Sequence, residues 1–172
     1  MKLNTSEMPQ KLKTLHAGDA VYLSGTVYTA RDAAHMRLLK MIENGDELPF
    51  DLCGAAIYYS GPTPAKAGMA VGSCGPTTSS RMDKFTPALI ERGVCATIGK
   101  GNRSEDVVEA MKKYGAVYFC AVGGAGALMS ACVSDAEVIA FPELGCEAVR
   151  KLTVKDMPLI VGIDSFGNSI LK

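Results

Sequence analysis

Apolar residues along this chain fall into short β-branched or aromatic runs separated by longer amphipathic stretches. Residues 20–27, AVYLSGTV, read as a strand. It leads into a helical pattern that reaches about Asn44, with Thr29 and Asp32 at capping-box spacing and Gly45 as the stop. Residues 52–59 and 68–73 read as two further strands joined by Ser60-Gly61-Pro62-Thr63-Pro64, which suggests a hairpin or close crossover. Residues 75–83 read as a loop opening a helix, with Ser80 and Asp83 spaced as a second capping box. Pro87 either kinks that helix or begins a new one capped by Thr86. A short buried strand over 95–98 ends in Gly99-Lys100-Gly101-Asn102. Ser104 then caps an amphipathic helix carrying Val107, Val108, Met111 and Tyr114. A strand from Ala116, a small-residue helix after Gly126 and strand-like runs near 137–141, 148–154 and 159–163 complete the pattern. This predicts an α/β domain of three layers with a mixed sheet, because the strand-rich C-terminus does not fit a purely parallel winding. No repeat or linker divides the chain, and only residues 1–15 are set apart, as a loosely attached N-terminal extension to a domain over 16–172.

One stretch imitates a membrane span: residues 114–134 carry no charge. Its β-branched and aromatic first part and the Gly123-Gly124-Ala125-Gly126 run fit a buried strand, a glycine turn and a helix better. The 172 residues suit one domain, and 48% hydrophobic content is too high for disorder. Eighteen basic residues balance eighteen acidic ones, which argues against nucleic acid or an anionic membrane as the main partner. Any cationic site must be local. The six cysteines, Cys53, Cys74, Cys95, Cys120, Cys132 and Cys146, lie at least eleven residues apart, which excludes the C-x-x-C pairs of zinc ribbons, redox sites and ferredoxin-type clusters. Most sit in apolar or Gly/Ala-rich surroundings and read as buried, reduced thiols. With no apolar signal-peptide core in the first nineteen residues, this gives a cytoplasmic expectation.

The cations are informative in their placement. Arg31, Arg81 and Lys100 each follow a strand-like run through a turn, and the two arginines fall at expected helix N-termini, where the local dipole disfavours positive charge. Strand-to-helix connections are where α/β folds place ligands, so the three could converge into a carboxylate site, with arginine gripping through paired N–H donors. Singly, each has a plainer reading: Arg31 pairs with a nearby acid, Arg81 pairs with Asp83, and Lys100 is solvated. Hydroxyls and backbone donors over residues 75–80 would suit an oxyanion or only a turn. His16 and His35 do not suggest a metal site. His35, one turn beyond Arg31, reads as an orienting group or a satisfied core histidine.

The strings Thr-Ala-Arg-Asp-Ala-Ala-His (29–35), Tyr-Ser-Gly-Pro-Thr-Pro (59–64), Gly-Pro-Thr-Thr-Ser-Ser-Arg-Met-Asp (75–83), Ile-Gly-Lys-Gly-Asn (98–102) and Gly-Gly-Ala-Gly-Ala-Leu (123–128) closely resemble the β subunit, or C-terminal domain, of iron-sulfur class I fumarases and L-tartrate dehydratases. The resemblance runs through nearly the whole chain beyond residue 15. It implies a swivelling β/β/α domain and half of a hydro-lyase that interconverts fumarate and malate. An α subunit would supply three cysteines to a 4Fe-4S cluster, none of it bound by this chain. It further implies that Arg31 and Arg81 hold substrate carboxylates, with Gly75 and Thr78 in the binding site. Lys100 would add positive charge, and Thr77 would be the base, its pKa lowered by a cation such as Lys100 or Arg81. Asp32, His35 and Asp83 would orient these groups from behind. L-tartrate dehydratase and a stand-alone small-anion binding module are the alternatives. An uncovered partner face would let the isolated chain form a homodimer.

Overall fold

The computed structural model of the chain describes residues 1–122 and 124–171, leaving Gly123 of the glycine run and Lys172 outside the described residues. Among the described residues, seven strands form one mixed sheet: β1 (Lys2–Asn4), β2 (Ala20–Thr29), β3 (Ala56–Tyr58), β4 (Ala96–Gly99), β5 (Val117–Cys120), β6 (Val133–Ala140) and β7 (Val149–Ile163). Their order is β1-β2-β3-β4-β5-β7-β6, with an additional pairing of β2 to β7. The first five run parallel. β7 runs antiparallel to β2, β5 and β6, so it closes the sheet upon itself.

Inside that closure lies the main core, with Leu23 and Val27 from β2, Ile98 from β4, Phe119 from β5 and Leu152, Val154 and Val161 from β7. Outside it, α2 (Asp32–Asn44) and α3 (Thr86–Glu91) bury Ala34, Leu38 and Leu89 against Ile57 and Tyr59. Next to them α4 (Glu105–Tyr114) buries Val107 and Met111 against Tyr118 and Ile163. Two β layers and one helical layer result, the mixed three-layer β/β/α architecture expected from the sequence.

Several local expectations change. The first fifteen residues are built in: β1 pairs with β2, and Leu3, Met8, Leu12 and Leu15 are buried in the main core, the last three on and after the short helix α1 (Met8–Lys11). Residues 68–73 form no strand. They close a loop in which Thr63 N–H donates to Ser73 O at 3.0 Å and Gly72 N–H to Thr63 O at 2.9 Å. Pro62 and Pro64 have no N–H for a ladder. Thr29 ends β2 and does not cap α2: its hydroxyl is buried and accepts the Arg150 N–H at 3.1 Å. Gly45 does stop α2, with φ 72°. Pro87 lies in the first turn of a new helix, α3. The two runs expected near 148–154 and 159–163 are one strand, bent where Asp156 takes φ 47°. Cys74 is buried, whereas Cys53 and Cys146 are exposed. Cys53 follows Asp51 in a turn, whose carboxylate accepts its N–H at 2.8 Å. No helix among the described residues is long and apolar enough to cross a membrane.

Candidate active site

Because β2, β3 and β4 are parallel, the loops after their C-terminal ends open on the same edge of the sheet. The loop after β2 carries Arg31, the N-cap residue of α2, and Asp32, its first residue. The long connection after β3 returns to that edge at residues 75–83. There Thr77 N–H donates to Tyr59 O at 2.6 Å, and Ser60 Oγ donates to Gly75 O at 2.9 Å. After β4, Lys100 bridges to Thr78. Its N–H donates to Thr77 O at 3.3 Å, and its carbonyl accepts from Ser79 N–H at 2.8 Å. A side chain on Gly99, the last residue of β4, would collide with Ser79 Oγ, so the glycine allows this close approach. After β5, Gly126 opens α5 (Gly126–Ala131) with its Cα against Gly75.

The side chains then meet. Arg81 sits in a 3-10 turn over Ser79–Met82, ahead of α3, and not at an α-helical N-terminus. It reaches back to α2, with Nη2 2.8 Å from Asp32 Oδ2 and Nε 3.2 Å from Oδ1. The expected alternative partner, Asp83, is not the one it uses. Arg31 passes over Gly61, where even a methyl would stand 2.7 Å from its Nη1, and its Nε lies 3.7 Å from Glu147 Oε1. Thr77 is half-buried and its hydroxyl makes no hydrogen bond among the described residues. Lys100 is exposed and enters none of the ion pairs among them. Arg31, Asp32, Arg81, Gly75, Thr77, Thr78 and Lys100 are therefore gathered on one edge. Its cations and hydroxyls have the chemistry to bind carboxylates and to handle a proton.

Asp83 faces elsewhere. Its Oδ1 accepts from Arg103 Nε at 2.7 Å and its Oδ2 from Ser104 N–H at 2.6 Å, so it fastens the start of α4 from another element. Nothing in the sequence around Arg103 marks it, yet its side chain is 0% exposed. It also donates to Thr97 Oγ1 at 3.0 Å, Thr86 Oγ1 at 2.9 Å and Tyr59 OH at 3.2 Å, and lies over the rings of Tyr59 and Tyr118. Burial works against its charge, and Tyr59 and Asp83 more than offset that. Tyr118 in turn donates to Gly101 O at 2.9 Å and meets Ser79 Oγ at the same distance. Arg103 thus packs on Tyr118, which ties together Ser79 and Gly101, the neighbours in sequence of Thr78 and Lys100.

His35 is wholly buried between Tyr59 and Phe85. Its Nδ1–H donates to Arg31 O at 2.8 Å, while Nε2 has no hydrogen-bond partner among the described residues. Burial lowers its pKa to about 4, against the weaker upward pull of the Arg31 carbonyl. The neutral ring therefore contributes stability above pH 6.5 that is lost as the pH falls toward 4, because the unfolded chain takes up a proton the folded chain refuses. Urea unfolding at pH 7 and pH 4 should show about 3 kcal/mol of loss from this group. The His35→Gln variant should lack that component, and an unchanged pH profile in the variant would contradict the assignment.

Among the described residues, no group of three His, Cys, Asp or Glu could hold a metal ion. The cysteines are dispersed, and burial raises the thiol pKa values of Cys74, Cys95 and Cys120, with Cys95 pushed up to about 12. A four-iron cluster needs converging thiolates, and the described residues do not fit it.

The chain is 38% identical over 172 residues to fumarate hydratase 2 of Leishmania major, which covers 99% of this chain and 30% of that protein. It is 41% identical over 165 residues to the Methanocaldococcus jannaschii protein named "Putative L(+)-tartrate dehydratase subunit beta", covering 92% of this chain and 85% of that one. The anaerobic class I fumarate hydratase of Escherichia coli is 39% identical over 152 residues, covering 87% and 28%. The chain thus spans about 30% of the length of the fumarate hydratases it matches. The family described as Fumarase C-terminus matches residues 1–172, and the chain belongs to that family.

Proposed function

We propose that this chain is the β subunit of a fumarate hydratase-type hydro-lyase and supplies the carboxylate-binding and proton-transferring half of an active site shared with an α subunit. The observation that carries this reading is the convergence of Arg31, Arg81, Thr77 and Lys100 on one sheet edge, in a chain matched by the family over its full length. A 4Fe-4S cluster would reside on the α subunit, where it would supply Lewis acidity toward the substrate hydroxyl.

Dehydration of malate removes a proton from one carbon and hydroxide from its neighbour; hydration of fumarate reverses both. Arg31 and Arg81 neutralise the two carboxylates, and their charge stabilises the electron density that builds on a carboxylate when the adjacent carbon loses its proton. Thr77 Oγ receives that proton. An alcohol is a poor base, and the exposed ammonium of Lys100, on the backbone segment bridged to Thr78, favours the alkoxide form Thr77 needs. Asp32 buttresses Arg81 through the ion pair it already makes, and His35 fixes the Arg31 backbone.

The second reading, an L-tartrate dehydratase β subunit, is favoured by the relative of matching length, 85% of which the chain covers. Anaerobic assay of the chain with its α partner on fumarate, malate and L-tartrate separates the two. Turnover of tartrate alone would overturn the fumarase reading. A chain with no partner and no turnover, yet binding dicarboxylates, would instead be a small-anion binding module.

A further inference from the structure

The two arginines of the site are not held alike. Arg81 lies in two close contacts with Asp32, at 2.8 and 3.2 Å. Arg31 faces a carboxylate too, but Glu147 Oε1 stands 3.7 Å from its Nε, beyond hydrogen-bond reach. That Nε is buried without any hydrogen-bond partner among the described residues. A guanidinium donor withdrawn from water and left unmatched is costly, and the cost is relieved when an acceptor comes closer.

Glu147 ends the 3-10 segment Pro142–Glu147, and this segment is clamped on both sides. Arg150 donates to Gly145 O at 3.0 Å, Cys146 O at 3.2 Å and Ala148 O at 3.3 Å, while Glu143 pairs with Arg37 of α2. The backbone on either side of Glu147 is thereby fixed. Its side chain, about a quarter exposed, is the part with freedom to turn toward solvent.

We infer that Glu147 is a placeholder for a substrate carboxylate: it stands opposite Arg31 as a loose ion pair in the free site, and the dicarboxylate displaces its side chain. This rests on the reading above that Arg31 binds a substrate carboxylate. Charge supports the exchange. The gathered side chains Arg31, Arg81, Lys100, Asp32 and Glu147 sum to one positive charge, and release of Glu147 to solvent leaves two, matching a dianion. Asp32, bound closely to Arg81, stays. Glu147 is then a specificity-determining residue, which lets a carboxylate replace it at Arg31 and gives a neutral ligand end no such exchange.

The test uses the two-chain complex and succinate, a dicarboxylate without a double bond to hydrate, as a competitive inhibitor of fumarate turnover. Glu147→Gln keeps the shape and removes the competing charge, and should tighten succinate inhibition about three- to tenfold, while Arg31→Ala weakens it. Unchanged or weaker inhibition with Glu147→Gln, alongside weakening in Arg31→Ala, would show that Glu147 does not compete for Arg31 and would overturn the proposal alone. If Arg31→Ala left inhibition unchanged, the assignment of Arg31 to substrate would fall, and the proposal with it.

Discussion

Replacing Arg103 by leucine is expected to destabilise the chain by about 3–5 kcal/mol, because it removes one partner of a buried ion pair and strands the other. The Asp83 side chain is only 11% exposed and would lose its 2.7 Å contact with Arg103 Nε. Thr86, Thr97 and Tyr59 would lose a shared donor at the same time. For a domain of this size the loss corresponds to a fall in Tm on the order of 10 °C or more. The Arg103→Leu/Asp83→Asn double variant should recover part of the stability, since the stranded carboxylate is gone. Thermal unfolding of the three variants checks this. A loss below about 1 kcal/mol in Arg103→Leu, the size of an exposed pair, would contradict the role given to Arg103.

Thr77→Val in the two-chain complex is expected to lower kcat by about 10²–10⁴-fold, the usual contribution of a positioned acid or base. Valine keeps the branched shape and the backbone N–H that donates to Tyr59 O, so the loop that carries it should stay in place. KM should change far less, because the carboxylates are assigned to Arg31 and Arg81. Steady-state kinetics on malate separates the two parameters. A raised KM with intact kcat would move Thr77 from proton transfer to binding.

Much of the candidate site is legible in the residues alone. Arg31, Arg81 and Lys100 stand after strand-like runs, and a parallel sheet brings such positions to one edge. The motifs around Thr77 and Thr78 point to the same place. Arg103 is invisible in the sequence for a physical reason. Its partners Asp83, Thr86, Thr97 and Tyr59 come from separate segments, and nothing local marks an arginine that will be buried among them. Glu147 is hidden in the same way, 116 residues along the chain from Arg31. The capping-box reading of Asp83 fails because its carboxylate has stronger donors in Arg103 and the Ser104 N–H. In the fold, the charged and proline-containing stretch around Lys155, Asp156 and Pro158 reads as a break between strands. The ladder to β2 resumes beyond it because Asp156 adopts φ 47° and the strand bends. The buried reading of the cysteines is right for Cys74 and wrong for Cys53 and Cys146, where polar turns outweigh apolar neighbours.

The central claim is that this sheet edge is the dicarboxylate half of a shared active site. Turnover of fumarate by the complex, with this chain either unaltered or carrying Arg81→Ala, tests it most directly. The account predicts an inert isolated chain, an active complex, and a fall in kcat/KM of about 10²–10³-fold on losing the Arg81 guanidinium. Near-full turnover in the Arg81→Ala complex would contradict it.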